Sequence, residues 1–312
     1  MSPGKPILYC APIRGVTDYI FRNIFEKYFG RFDFLLTPFI PTVRGRIINP
    51  SHLRDVQKEH NDLSRVIPQI IGNNASQFIV LAKTLHDIGY LSVNWNLGCP
   101  SPQITRKKRG CGLLPHPDIL RSFLDIVMKA PPCPLSLKVR LGFENDHELE
   151  SLIPLFNQYP FHEVIIHART GVQIYDGRVN LDIFEQCVES FKHPVIYNGD
   201  ITTPDFFESL RTRFSSVNRW MIGRGIVSNP FLLEELQAGT CQFDKKRIQQ
   251  FHDELYTQNS TILSGPAHLL GKMKELWSYL ASSFPEDPKL LKKILRTTTL
   301  RHYSQIITKL FS

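Results

Sequence analysis

Eight short runs of β-branched, aliphatic and aromatic residues recur through the first 225 residues, and this repetition limits the folds open to the chain. They start near Pro6 (PILYCAPI), Phe32 (FDFLLTPFI), Arg65 (RVIPQIIG), Leu91 (LSVNWNLG), Leu135 (LSLKVRLG), Glu163 (EVIIHART), Pro194 (PVIYNGD) and Arg219 (RWMIGRG). Runs of this kind, most of them ending at Gly, Asn, Asp or Arg, read as strands. Helix-like stretches follow most of them, among them Ala75 to Leu85 and Pro117 to Met128. Eight strands alternating with helices over about 240 residues specify a TIM (β/α)8 barrel. The alternative, a doubly wound open sheet, would use fewer strands and a GxGxxG turn, which the sequence lacks.

After Phe251 the pattern changes. Leu270, Met273, Trp277, Leu280 and Phe284 step by three and four, which is helical spacing. Beyond Pro285 and Pro288, Leu290, Leu291, Ile294 and Leu295 form an apolar stripe, with Lys289, Lys292, Lys293 and Arg296 on the other side. The α/β barrel is therefore expected over residues 1–242 and a small all-helical domain over 243–312. No apolar run reaches the ~20 residues that span a bilayer, and the amino terminus, with Pro12 and Arg14 in its apolar stretch, makes a poor signal peptide.

The net charge of +8 is unevenly placed. Residues 241–312 hold 11 basic and 6 acidic side chains, and from Lys289 onward there are six basic residues and no acidic one. A basic helical face without acids favours a phosphate backbone as partner. Six cysteines without a CxxC pair argue against a structural zinc site or a disulfide framework. They read as reduced thiols of a cytoplasmic protein. No metal is expected, and nothing points to an obligate oligomer, so a monomer is expected.

In a barrel of this type the active site lies at the carboxy ends of the strands. Side chains alternate along a strand. Leu135, Leu137 and Val139 should face the outer helices, so Ser136, Lys138 and Arg140 point to the axis. The fourth run aims Asn94 and Asn96 inward, and the sixth aims His167 and Arg169. Charge converging on one mouth must be paired or used. Runs seven and eight end in Asn198-Gly199-Asp200 and Gly223-Arg224-Gly225, positions where such barrels often bind phosphate. Cys99 sits between Gly98 and Pro100 after the fourth run. Protonated, it can act as an acid; with a lowered pKa and His167 as base it would be a nucleophile. Four cations, Arg106, Lys107, Lys108 and Arg109, follow in the same loop and could grip a polyanionic substrate.

Taken together, Ala11-Pro12-Ile13 with Gly15-Val16-Thr17-Asp18 and Phe21-Arg22, Asn96-Leu97-Gly98-Cys99-Pro100-Ser101, Lys138-Val139-Arg140-Leu141-Gly142, His167-Ala168-Arg169-Thr170 with Gln173 and Tyr175, Asn198-Gly199-Asp200-Ile201 and Gly223-Arg224-Gly225 resemble the tRNA-dihydrouridine synthases. The match runs in order from about residue 8 to residue 230. Lys272-Met273-Lys274 with Trp277 and Tyr279 is similar to the bacterial C-type branch, which reduces uridine 16 of the tRNA D-loop.

The resemblance implies an FMN-binding barrel followed by a helical tRNA-binding domain, with NADPH or NADH as reductant. It implies that Cys99 donates a proton to C5 of the uracil. It places Ala11, Pro12, Ile13, Gln69, Lys138 and His167 against FMN, and Asn198, Gly199, Asp200, Gly223 and Arg224 on its phosphate. Asn96 and Arg140 would hold the uracil edge, and Arg169, Tyr175, Lys272, Lys274, Tyr279 and Arg296 would face the tRNA. The chain departs from the family pattern in four places. Asn94 stands where Asp is common and Pro38 where Glu is usual. Arg106–Arg109 replace small or glycine-rich residues, and Cys111 replaces Ala. Two other readings fit part of the sequence. A small-molecule FMN oxidoreductase of the dihydroorotate-dehydrogenase type would not explain the basic tail. A non-catalytic RNA-binding protein would bind no flavin.

Overall fold

All eight runs form strands, and a proline divides two of them. In the computed structural model, which describes residues 4–43, 45 and 48–312, the first run gives β1 (Ile7–Cys10). The second gives β2 (Phe34–Leu36) and β3 (Ile40–Pro41), on either side of Pro38. The third gives β4 (Val66–Ile67) and β5 (Gln69–Ile71), divided by Pro68. The rest are β6 (Val93–Leu97), β7 (Leu135–Gly142), β8 (Val164–Thr170), β9 (Val195–Asn198) and β10 (Arg219–Ile222). Proline has no N–H to give a ladder, so pairing lapses where it stands. At Pro68 a side chain bridges the gap: the Gln69 N–H donates to the Thr37 hydroxyl at 3.1 Å.

The strands pair in parallel in the order β3-β5-β6-β7-β8-β9-β10-β1-β2-β4. Since β4 and β5 are one segment, the two ends of that order meet. Ten strands thus make the eight staves of a TIM barrel. The helices are α1 (Tyr19–Phe29), α2 (Ala75–Ile88), α3 (Pro102–Thr105), α4 (Pro117–Val127), α5 (Glu148–Phe156), α6 (Leu181–Ser190), α7 (Pro204–Arg213), α8 (Arg224–Ser228), α9 (Leu232–Ala238), α10 (Lys245–Ile262), α11 (Pro266–Leu280), α12 (Leu290–Leu295) and α13 (Leu300–Phe311). The chain divides into two units that interleave in sequence. One holds Met1–Pro12, Asp33–Gly199 and Arg211–Met221; the other holds Ile13–Phe32, Asp200–Leu210 and Ile222–Ser312.

In the first unit the period-two alternation builds the barrel interior. Tyr9, Ala11, Leu36, Ile67, Ile165, Ile196 and Met221 pack there as an apolar layer. Two residues further along several of the same strands come the polar residues: Gln69, His167 and Asn198. The outward set packs on helices, as where Trp95 stacks on Phe123 of α4 with centroids 4.1 Å apart. Buried Glu163 accepts from Tyr9 Oη (2.9 Å) and pairs with Arg219 (2.7 Å), which satisfies the carboxylate just before β8 begins.

The second unit is helical. Phe251 of α10 sets its ring edge against Phe21, Phe25 and Phe29 of α1. Leu270, Met273, Trp277, Leu280 and Phe284 are all buried, as their spacing predicts. The later stripe is narrower than expected. Leu290 and Ile294 are buried, whereas Leu295 is 46% exposed, because six-residue α12 turns only one narrow side inward. No helix among the described residues is long and apolar enough to cross a membrane.

Candidate active site

The barrel mouth is floored by a chain of amides. Asn96 Nδ2 donates to Gln69 Oε1 (2.6 Å), Gln69 Nε2 to Asn94 Oδ1 (2.8 Å), and Asn94 Nδ2 to Ser136 Oγ (2.8 Å). Gln69 and Asn94 are fully buried. An amide at position 94 both accepts and donates, which a carboxylate there would not do. The Asn94 departure therefore keeps the floor neutral. Asn96 also fixes the cysteine loop, since its Oδ1 accepts from the N–H groups of Gly98 (3.0 Å) and Cys99 (2.9 Å).

Lys138 projects from β7 across the interior to β9, where Nζ donates to Asn198 Oδ1 at 2.8 Å. Asn198 in turn donates to the Met221 carbonyl at 2.9 Å. Burial first, and then the Arg140 charge, push the Lys138 ammonium down to about 7, with Cys99 opposing. No carboxylate is among these influences. Cys99 is half-buried and is not in a disulfide. Its carbonyl accepts from the Cys111 N–H and from the Cys111 thiol, both at 3.2 Å. Burial pushes the Cys111 thiol up to about 12, so Cys111 acts as a packed donor rather than a second reactive sulfur.

The two arginines bond to backbone carbonyls. Arg140, 2% exposed, donates to three carbonyls: Gly98 (3.0 Å), Thr170 (2.6 Å) and Ile174 (2.7 Å). Arg169 donates to Gly177 (2.6 Å) and more weakly to Asp176 (3.4 Å). Both, expected as substrate contacts, therefore hang the 171–178 loop on the barrel. Guanidinium groups buried without carboxylates take backbone carbonyls instead. The loop is strained, for Ile174 has φ 52° although it is β-branched. It presents Val172, Ile174 and Tyr175 with large exposure, and the Tyr175 ring lies 5.6 Å from the Arg140 guanidinium and 6.2 Å from the His167 ring. A register shift between β7 and β8 beside Arg140 and His167 re-aims these side chains, as bulges near active sites do.

The remaining expected residues fall as follows. Ala11 and Pro12 follow β1, and Ile13 opens a hydrogen-bonded turn in which its N–H donates to Thr17 Oγ1 at 2.7 Å. Gly199 has φ 148°, and a Cβ there would come within 2.8 Å of Val179. Asp200, with φ 46°, accepts from Arg224 Nη2 at 2.7 Å. Asp200 thus offers a phosphate only its backbone, while its carboxylate holds the guanidinium. Gly223 precedes α8 as its cap residue. Tyr279 is half-buried and Arg296 exposed.

Lys272 and Lys274 are engaged inside the helical unit. Lys272 Nζ donates to Asp18 Oδ2 (2.5 Å) and to the Gly15 carbonyl (2.7 Å). Lys274 Nζ donates to the Thr297 carbonyl. Both residues expected to face the tRNA thus have partners within the unit. Sequence reasoning placed Ser136 on the inward face without a role, and it missed Asn73, whose amide binds the Lys107 and Lys108 carbonyls at 3.0 Å each. An Asn directly before the helix-capping Asn74 gave no distinct signal.

A barrel mouth with a loop cysteine, a low-pKa lysine and a buried histidine is common to many flavin and phosphate enzymes, so geometry alone does not choose among them. A model of the dihydrouridine synthase (Dus) family matches residues 9–309. The chain belongs to the dihydrouridine synthase family. It is an oxidoreductase of that family. A tRNA-dihydrouridine(16) synthase from Pseudomonas putida is 28% identical over 312 residues, covering 95% of each chain. A tRNA-dihydrouridine synthase B from Klebsiella pneumoniae is 30% identical over 236 residues, covering 74% of this chain and 71% of that one. Among solved structures, morphinone reductase aligns with a TM-score of 0.51 at 11% identity, covering 78% of this chain and 93% of its own. An old yellow enzyme homologue from Zymomonas mobilis aligns with a TM-score of 0.51 at 9% identity, over 77% and 90% of the two chains. At such identity these likenesses concern the barrel fold alone.

Proposed function

We propose that this dihydrouridine synthase family member reduces a uridine of tRNA to 5,6-dihydrouridine, using FMN as bound cofactor and NADPH or NADH as reductant. The observation that carries the reading is Lys138, an ammonium held in the barrel mouth without a carboxylate, beside Cys99 and above a neutral amide floor. Such a group favours an anion or a ring that becomes anionic. The donor set fits a flavin nucleotide. Gln69, Lys138, His167 and the Ala11–Ile13 backbone would meet the ring system, and Asn198, Gly199, the Asp200 backbone, Gly223 and Arg224 would meet its phosphate. FMN bound there and reduced by NADPH or NADH would supply the hydride for C6 of the C5–C6 double bond.

The chain's own residues do the rest. Cys99 holds the proton that C5 receives, and its thiolate is left facing the Lys138 and Arg140 charges. Asn96 fixes the Cys99 backbone and has a second amide N–H for a uracil carbonyl. Arg140 and Arg169 keep Tyr175 at the rim, where its ring can stack on a base pulled out of the RNA at a cost of a few kcal/mol. Residues 1–242 carry the chemistry in this reading, and 243–312, with Tyr279 and Arg296, add tRNA contacts. The target is the D-loop, at position 16, and the enzyme acts in the cytoplasm as a monomer. The relatedness to the Pseudomonas putida synthase supports the choice of position.

The test is mass spectrometry of tRNA nucleosides from cells lacking the gene, complemented with wild type or Cys99→Ala, with a visible spectrum of the purified protein. A flavin spectrum is expected, together with one lost dihydrouridine that wild type restores and Cys99→Ala does not. Flavin with unchanged dihydrouridine would instead indicate a small-molecule oxidoreductase. A colourless protein that takes up no flavin would leave an RNA-binding role.

A further inference from the structure

We propose that the turn Arg106–Lys107–Lys108–Arg109 is a phosphate clamp that grips the RNA backbone beside the nucleotide presented to Cys99. The proposal rests on the tRNA reading above and adds to it the groups that hold the substrate at the rim.

The turn is built to be rigid. After α3, the N–H groups of Lys107 and Arg109 donate to the Ile104 carbonyl (3.0 and 3.3 Å), and that of Lys108 donates to Thr105 (2.8 Å). Asn73 fastens it from outside, donating to the carbonyls of Lys107 and Lys108 and accepting from Arg109 Nε at 3.4 Å. The next residue ties it to the reactive cysteine. Gly110 has φ 58°, and a Cβ there would lie 2.4 Å from the Cys99 carbonyl oxygen. The turn therefore has a fixed position relative to Cys99.

The charges of Arg106, Lys107 and Lys108 serve no structural purpose. Arg106, Lys107 and Lys108 are exposed, and among the described residues none of the four cations makes an ion pair. From Lys107 and Lys108 Asn73 takes only backbone carbonyls, which any residue would supply, and of the four side chains it meets that of Arg109 alone. Lys108 is more telling. Its φ of 52° is left-handed, where glycine or asparagine would be less strained, yet the chain has a lysine. Four adjacent cations also repel one another unless an anion lies between them. A phosphodiester chain, with one negative charge per nucleotide, answers a row of cations better than a single terminal phosphate does.

The test uses the full-length flavoprotein carrying Arg106→Gln, Lys107→Gln and Lys108→Gln together, with Asn73 and Arg109 kept. Binding to unmodified tRNA transcript is measured across a salt series, with steady-state KM for tRNA and for NADPH. The slope of log K against log salt should become shallower by about two to three, at roughly 0.7–0.9 per phosphate contact. The KM for tRNA should rise at least tenfold, with the KM for NADPH unmoved. An unchanged slope would overturn the clamp and leave a solvated face. A raised KM for NADPH with an unchanged RNA slope would also overturn it, by assigning the cations to the dinucleotide. Lys108→Gly guards against misfolding: it removes one charge and the strain together, so its slope should fall by about one without loss of Tm. Absence of tRNA binding by the wild-type protein would be a failure of the parent reading, seen before any variant is compared.

Discussion

Replacing Lys138 by methionine should change how the stability of the flavin-free protein depends on pH. The ammonium is pushed from 10.5 to about 7, chiefly by burial. At about 1.4 kcal/mol per unit, that is a penalty of up to about 5 kcal/mol on the charged form. Below about pH 7 both folded and unfolded states hold the proton, and the full penalty applies. Between about 7 and 10.5 the unfolded chain binds a proton that the folded one releases, so stability rises with pH. Above that window neither holds it and the penalty is gone. From about pH 6 to about pH 9 the wild type should gain roughly 3 kcal/mol from this residue, an upper bound because Lys138 keeps a partial opening to solvent. The variant loses the Asn198 bond, but that loss does not vary with pH. The assay is urea unfolding of both proteins at the two pH values. The stability difference between them should change by about 2–3 kcal/mol. A difference constant to within about 0.5 kcal/mol would refute the reasoning. In the proposed binding mode reduced flavin would offer the ammonium an anionic neighbour, so its addition should shrink the wild-type dependence.

Other perturbations follow from the same geometry. Arg140→Met removes three charged hydrogen bonds to carbonyls and should destabilise by about 2–4 kcal/mol in urea unfolding; Arg140→Lys should fail to rescue it, because one ammonium cannot span the planar fork. Cys111, buried and pushed up to about 12, should resist a water-soluble alkylating agent in the native protein at about pH 8, and peptide mapping that finds it labelled would contradict the packed-donor role. Lys272→Met should lower stability by about 2 kcal/mol, and a double-mutant cycle with Asp18→Asn should show coupling between the two; additive effects would mean that the observed pair is energetically idle.

The barrel was legible because its signals are local. Each run carries the β-branched composition and the period of two that a strand needs, and the inward polar residues at 94, 96, 138, 140, 167 and 169 follow from that period alone. The two breaks were visible as prolines, yet their effect was not, since Thr37 restores at Pro68 a bond that no rule of pattern supplies. The partners of each inward side chain were not legible at all. Arg140 and Lys138 lie two residues apart on one strand face. One bonds to backbone carbonyls and the other to Asn198, and that difference depends on loops that return from elsewhere in the chain.

The basic residues show the same limit from the opposite direction. The resemblance turned Lys272 and Lys274 toward the tRNA, and the charge pattern put Lys293 on a basic face. A count along the sequence does not register that Asp18, 254 residues earlier, closes on Lys272, or that Asp287 pairs with Lys293 at 2.7 Å. The carbonyl at the end of α12 does the same for Lys274. Charge that can find a partner within the fold is drawn into stability, because a satisfied cation costs less than a bare one. The cations left for a polyanion are those the fold cannot neutralise, and they are better recognised by what holds them than by their number. Arg106 to Arg109 meet that criterion: a side-chain amide and a glycine fix the turn's backbone, and no carboxylate among the described residues pairs with its charges. In this chain the basic run that shares a loop with Cys99 is therefore also the one whose charge the structure leaves available to a substrate.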